Sequence, residues 1–222
     1  MLILGIDTST SAIAVGLSDG ADRVESRSRL DARGHTEHLA PLVAALLSET
    51  GTSVGDLTGV AVGTGPGPFT GLRVGMVTGV TMGHALGIPV HGVCSLDVLA
   101  HQALASGAVG DGGFGVATDA RRREVYWATY DVRTPGEAVR TSDPAVDRPA
   151  EVPADVRALP TAGRGPLLYG DLFAAPVDVL DVDAGVLALL AARGVAAGAS
   201  MPVEPLYLRR PDALTTAERA QG

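Results

Sequence analysis

Apolar and polar residues along this chain follow two periods, and the switches between them mark its elements. Residues 2–7 are an apolar run ending in Asp7, and residues 12–17 are a second. Residues 23–29 alternate in the manner of an exposed strand, with D-T-S-T-S and S-D-G-A-D as the intervening turns. Three such segments joined by short turns predict an antiparallel meander. From Thr36 the period lengthens: Leu39, Leu42, Val43, Leu46 and Leu47 share one helix face. Thr36 suits the N-cap of that helix, Glu37 its first turn and Gly51 its C′ position. Residues 57–63 read as a buried strand. A Gly-Pro loop follows, then a helix over residues 71–86, stopped by Gly87 and Pro89. Residues 90–94 form another strand, and Ser95 is placed to cap a helix through Leu104.

The resulting order, three strands and then alternating helices and strands, predicts an α/β chain with a mixed sheet and helices on its faces. The turn-rich stretch S-G-A-V-G-D-G-G divides it into an N-terminal lobe, 1–108, and a smaller C-terminal lobe, 109–222. The second lobe opens with a hairpin, residues 115–119 and 124–130 around a tight turn. Between 134 and 165 the chain is rich in Pro, Ala and Arg, and residues 133–158 give no readable period. Residues 186–197 predict a last helix closed by Gly198, and P-L-Y-L-R-R-P-D ends the fold. No repeat of solenoid period is present.

Composition narrows the function classes. The chain has 222 residues, 46% of them hydrophobic, enough for a substantial core. No apolar run reaches the roughly 18–20 residues of a membrane span, and the N-terminus lacks the basic start of a signal peptide. A cytoplasmic location without membrane contact is expected. The net charge of −8 makes a poor stand-alone nucleic-acid binder. All 17 basic residues are arginine, which excludes a P-loop lysine, a Schiff-base lysine and a kinase-type lysine. The single cysteine, Cys94, excludes an internal disulfide and reads as a small buried hydrophobe.

Five features bear on chemistry. Gly71, Gly75, Gly79, Gly83 and Gly87 are spaced four apart, on one helix face. Three interior glycines cost about 1 kcal/mol each against alanine. Close backbone approach is the compensation, either to the chain's own sheet, which the stripe alone favours, or to a helix of another chain. The loop V-G-T-G-P-G-P-F-T-G lacks the G-x-G-x-x-G spacing of a dinucleotide site, and its prolines remove donors a phosphate would need. It reads as a stiff corner in which Gly65, Pro66, Gly67 and Thr70 orient the next helix. Asp7, with Thr8 and Ser9, stands where actin-like kinases handle nucleotide phosphate and metal, but Thr8 replaces the usual glycine; a turn residue is an equal reading. His35 and His38 are three apart, without a third ligand, and suit capping or surface roles. Arg121, Arg122 and Arg123 form a basic turn, either a solvated tip or a contact for RNA or an acidic partner.

L-G-I-D-T-S-T, G-H-T-E-H-L-A-P-L, G-T-G-P-G-P-F-T-G-L-R-V-G, D-A-R-R-R-E-V-Y and P-L-Y-L-R together resemble the TsaB, or YeaZ, family from the N-terminus to the tail. The resemblance implies an actin-like, RNase H-like two-lobe fold. It implies a non-catalytic subunit of the complex that installs N6-threonylcarbamoyl on adenosine 37 of tRNAs reading ANN codons. The partners implied are the catalytic paralogue TsaD, the ATPase TsaE and, through the complex, tRNA, with a homodimer when the chain is alone. No cofactor is required by this chain; ATP or ADP and magnesium belong to the complex. TsaD-like chains carry V-H-H-M-E-G-H where this one has residues 90–96, so both histidines of the metal-binding pair become Gly92 and Leu96. The resemblance also turns the glycine stripe outward. The implied partner interface is Leu39, Leu42, Val43 and Leu46 on the first helix with Gly71, Arg73, Gly75, Met76, Gly79 and Gly83 on the second. A nucleotide-binding ATPase or phosphotransferase of the actin-like class, using Asp7, is the alternative. A metallopeptidase is a third reading, weakened by the lost histidines.

Overall fold

The computed structural model describes residues 1–21, 24–31, 34–134 and 136–209. Arg23 of the predicted third strand and Arg210, Pro211 and Asp212 of the predicted tail lie outside the described residues. The first half contains β1 (Ile3–Asp7), β2 (Ala12–Ser18), β3 (Val24–Leu30), α1 (His35–Glu49), β4 (Gly59–Gly63), α2 (Phe69–Leu86), β5 (Val90–Val93) and α3 (Ser95–Ala105). Its sheet runs β3-β2-β1-β4-β5. The first three strands are antiparallel, and β4 and β5 join in parallel.

The second half repeats this plan. It comprises β6 (Gly113–Asp119), β7 (Val125–Thr134), β8 (Glu137–Arg140), β9 (Ala145–Asp147), α4 (Ala154–Arg157), β10 (Pro160–Ala162), α5 (Arg164–Leu168), β11 (Ala175–Pro176) and α6 (Ala184–Ala196). The sheet order is β8-β7-β6-β10-β11, with β9 also on β7. A three-stranded antiparallel meander whose first strand is then extended by two strands in parallel thus occurs twice. This is the actin-like, RNase H-like α/β architecture expected, built as a structural duplication that the sequence does not display. The second copy is hard to read because its elements are short: α4 has 4 residues, α5 has 5 and β11 has 2.

Period-two alternation sorts β1 between two cores. Leu4 and Ile6 join the core under α1 and α2, with Val60, Val62, Leu39, Leu46 and Leu72. Ile3 faces the opposite way, into a core shared with α3 and α6 and with Phe114, Val116 and Tyr130 of the second sheet. Gly5 and Gly16, paired across β1 and β2, let α6 rest on bare backbone: a Cβ on either would lie 2.1 Å from Ala184 or Gly185 main-chain atoms. Asp183 caps α6 by accepting from Gly185 N (2.7 Å) and Val186 N (3.2 Å).

Element starts depart from expectation where side chains have other partners. Gly34, not Thr36, is the N-cap of α1, without a side-chain cap bond. Residues 57 and 58 are not strand, because Val54–Asp56 is a 3-10 turn with a Ser53–Asp56 capping box and β4 begins only at Gly59. The N-cap of α3 is Cys94; Ser95 is already helical and its hydroxyl is used elsewhere.

Candidate functional site

Asp7 closes β1 and is fully buried. Ser9 donates to its Oδ1 through both N–H and hydroxyl, each at 2.8 Å. Ser95 donates to Oδ2 at 2.6 Å while accepting from Gly65 N at 3.2 Å. One hydroxyl therefore ties the end of β1 to the start of α3 and to the Gly-Pro loop. Burial pushes the Asp7 carboxyl above its ordinary range despite these bonds, which act the other way. The carboxylate faces the chain's interior: a Cβ at Gly63 would sit 1.8 Å from Asp7 Oδ2. Residues 63–67 are all buried. Gly65 N–H is engaged, Pro66 and Pro68 have none to offer, and Tyr126 donates its hydroxyl to Gly67 O at 3.4 Å. The loop is geometrically a packed corner; Thr70 lies beyond it, exposed in the first turn of α2.

The glycine stripe of α2 faces inward, which corrects the expectation of an interface built on it. A Cβ at Gly75 would lie 2.5 Å from Thr8 Oγ1, one at Gly79 2.2 Å from Val62 Cγ1, and one at Gly83 2.2 Å from Val90 Cγ2. Gly71 backs onto the Thr8 carbonyl at 2.8 Å in the same way. Thr8 exploits the gap: its hydroxyl donates to Gly71 O (2.7 Å) and accepts from Gly75 N (2.9 Å), bridging a turn of the helix. Leu39, Val43, Leu46 and Met76 are buried in the same core, and Leu42 packs against it half-buried. Of the ten residues expected at a partner interface, only Arg73 is exposed. The outward face of α2 is different and apolar: Phe69, Val77 and Val80 are 48%, 58% and 45% exposed. Arg73 lies over the Phe69 ring, which also meets Tyr207 of the tail.

A cleft of about 270 Å³ opens beside this corner, between the first turns of α1 and α2. Thr8, Thr10, Thr36 and Thr70 line it with His35 and Arg121. Of Asp7, Thr8 and Ser9, only Thr8 reaches it. His35 is expected in a capping or surface role, but Gly34 is the N-cap and the His35 side chain is half-buried. Its Nε2 is buried with no hydrogen-bond partner among the described residues. Burial, the largest influence, lowers its pKa, while the nearby acid Asp31 and the Thr10 backbone bond oppose this. Neutral His35 thus offers the cleft one unmatched ring nitrogen. No spacing rule identifies it, since the orphaned atom depends on Gly71 of a distant helix. His38 pairs with Asp31 at 3.2 Å.

Arg121, Arg122 and Arg123 form the turn between β6 and β7, and all three have positive φ, at 60°, 54° and 62°. For non-glycine residues this costs about 1–2 kcal/mol each. Arg121 pairs with Asp119 at 2.9 Å. The tail reaches the same turn: Arg209 pairs with Glu124 and donates to Arg121 O at 3.4 Å.

The positions that the resemblance aligns with a metal-binding histidine pair, Gly92 and Leu96, are filled from within. A Cβ at Gly92 would lie 2.2 Å from Pro202 O, because the tail straps β5 through a Gly92 N to Met201 O bond of 3.0 Å. Leu96 is fully buried in the central core. Among the described residues no group of three or more His, Cys, Asp or Glu converges to hold a metal ion. Burial pushes the Cys94 thiol up to about 11, consistent with an unreactive packing role. Among the described residues no helix is long and apolar enough to cross a membrane.

Comparison with known proteins agrees with this architecture. Residues 28–162 match the family model of TsaD, tRNA N6-adenosine threonylcarbamoyltransferase. An uncharacterised protein of Mycobacterium tuberculosis is 44% identical over 213 residues, covering 95% of this chain and 93% of its own. The Escherichia coli tRNA threonylcarbamoyladenosine biosynthesis protein TsaB is 35% identical over 131 residues, 59% of this chain and 55% of that protein. The solved structure of YeaZ from Pseudomonas aeruginosa superposes with a TM-score of 0.78 at 31% identity, covering 93% of this chain and 100% of that one. A second Pseudomonas aeruginosa structure, described as similar to peptidase YeaZ, gives 0.80 at 32% identity over 94% and 99%. Motifs, duplicated fold and relatives converge, and the chain belongs to the TsaB/YeaZ family.

Proposed function

We propose that this chain is a non-catalytic partner subunit in threonylcarbamoylation of tRNA adenosine 37. It pairs with a TsaD-like paralogue and supports modification of tRNAs reading ANN codons; a TsaE-like ATPase and tRNA join through the complex. The observation that carries this reading is the closure of the strand-end site. Asp7 is fully buried and both its oxygens are taken by the chain's own donors, leaving no carboxylate for phosphate or metal chemistry. The filled positions of Gly92 and Leu96 support the same conclusion. What remains accessible is a surface: the apolar outer face of α2, edged by Arg73 and Tyr207. In this reading it seats the paralogue, or a second copy of the chain when no paralogue is present. The chain itself needs no cofactor, and ATP or ADP with magnesium acts at the level of the complex.

A second reading has one specific observation behind it. The cleft with orphaned His35 and Arg121 suits a small anionic ligand that also offers a hydrogen to His35, as a nucleotide could. It would be a binding site, since Asp7 is not in it. Reconstituted modification separates the readings. The paralogue with TsaE-like ATPase and threonylcarbamoyl-adenylate should modify tRNA only when this chain is added, and the chain alone should neither modify tRNA nor turn over ATP. Turnover by the lone chain would overturn the non-catalytic assignment.

A further inference from the structure

The turn between β6 and β7 is a basic point on an acidic protein, held in shape by Arg121 N–H donating to Asp119 Oδ1 (2.7 Å) and Glu124 N–H donating to Arg121 O (3.0 Å). Arg121, Arg122 and Arg123 are successive, exposed and all left-handed, a conformation that glycine would adopt without strain. The tail adds a fourth guanidinium, Arg209, from 88 positions away. Asp119 pairs with Arg121 and Glu124 with Arg209. The turn D-A-R-R-R-E together with Arg209 is net positive, against a net charge of −8 for the chain. Arg122 also helps lower the pKa of Arg209, second to burial, as expected where like charges are held together. Net positive charge concentrated on an exposed, strained turn is complementary to a partner of opposite charge.

We propose that this tip contacts the phosphodiester backbone of a folded RNA, so that the chain touches RNA directly and not only through a partner subunit. Arginine forks match phosphate oxygens in bidentate geometry, and contacts of this kind position an RNA without reading its sequence. The proposal rests on the function proposed above only in its choice of RNA. Acidic polypeptide would satisfy the charge, but the relatives of known role are named for tRNA biosynthesis.

The test is a fluorescence-anisotropy titration of a labelled tRNA transcript with the full chain at low and rising salt. The comparison is between the native chain, the double variant Arg122→Gly/Arg123→Gly and the control Arg29→Gln on exposed β3. Glycine relieves the left-handed backbone, so the double variant should melt at the same or a higher temperature. It should bind tRNA roughly tenfold more weakly, with the slope of log affinity against log salt reduced by about 1.5. The control should match the native chain. Absence of tRNA binding at the lowest salt, or equal affinity and slope for the double variant, would overturn the proposal. So would polyglutamate binding as tightly as tRNA with the same loss on substitution, which would assign the tip to an acidic protein. Molar mass of the mixture with the paralogue should not change in the double variant, so a failure of pairing is seen separately.

Discussion

Thr8 shows how one side chain can redirect the reading of a motif. A strand-end acid that handles phosphate is expected to be followed by glycine, so that the backbone leaves room for ligand. Here the Thr8 hydroxyl fills that room and bonds to Gly71 O and Gly75 N. Thr8→Val keeps the shape and removes both bonds, so it should lower unfolding free energy by roughly 1–3 kcal/mol in urea titration. Gly79→Leu should be worse, by about 3 kcal/mol, because its side chain would enter Val62. That loss is in folding and would precede any loss of pairing. Asp7 gives a pH test. Its folded pKa is raised, so the ionised form is the disfavoured one, and its cost is absent below pH 3.8 and grows as pH rises towards the folded value. Asp7→Asn removes that titration. The melting temperature of the native protein, measured relative to this variant, should therefore fall on raising pH from 3.8. Modification of tRNA should survive the substitution.

At the scale of the element, α2 has two faces with different tasks. The small face lets the helix sit against β4 and β5, and the large-residue face, Phe69, Val77 and Val80, is left open. The spacing of the glycines is legible in the sequence, but its direction is not. A four-residue repeat fixes that the glycines share a face and leaves open which neighbour that face meets. The stripe by itself favours the chain's own sheet, and that is where it lies; the interface implied by family resemblance falls on the same residues and points the wrong way. The residues to test are the exposed ones. Val77→Arg should leave the melting temperature within about 2 °C, since Val77 is 58% exposed, and should abolish pairing with the paralogue. The meander, α1, α2 and α6 are readable because each has a long run of one period. The stretch from 134 to 165 is not, because strands of 3 or 4 residues and helices of 4 or 5 are shorter than the windows in which a period can be recognised.

The whole molecule is a duplicated sheet with α3 and α6 enclosed between the copies, each packed mainly on the sheet of the other half. This exchange makes the two halves mutually dependent, and a single cooperative unfolding transition is expected. Burial holds His35, His91 and His101 below the usual histidine pKa. Groups lowered in the folded state stabilise it above their unfolded pKa, so stability should be complete above about pH 6.5 and fall as the solution is acidified through that value. His101→Gln should flatten part of this dependence, read as melting temperature against pH. The candidate site emerges only at this scale, since the cleft joins residues 8, 35, 70 and 121 from four separate stretches. The proposed partner subunit works through the open face of α2. The most direct measurement is molar mass by size exclusion with light scattering, on the chain mixed with the TsaD-like paralogue of the same organism. A stoichiometric complex with the native chain that is lost with Val77→Arg is the predicted result. No complex with the native chain, or one that Val77→Arg forms equally well, would contradict it.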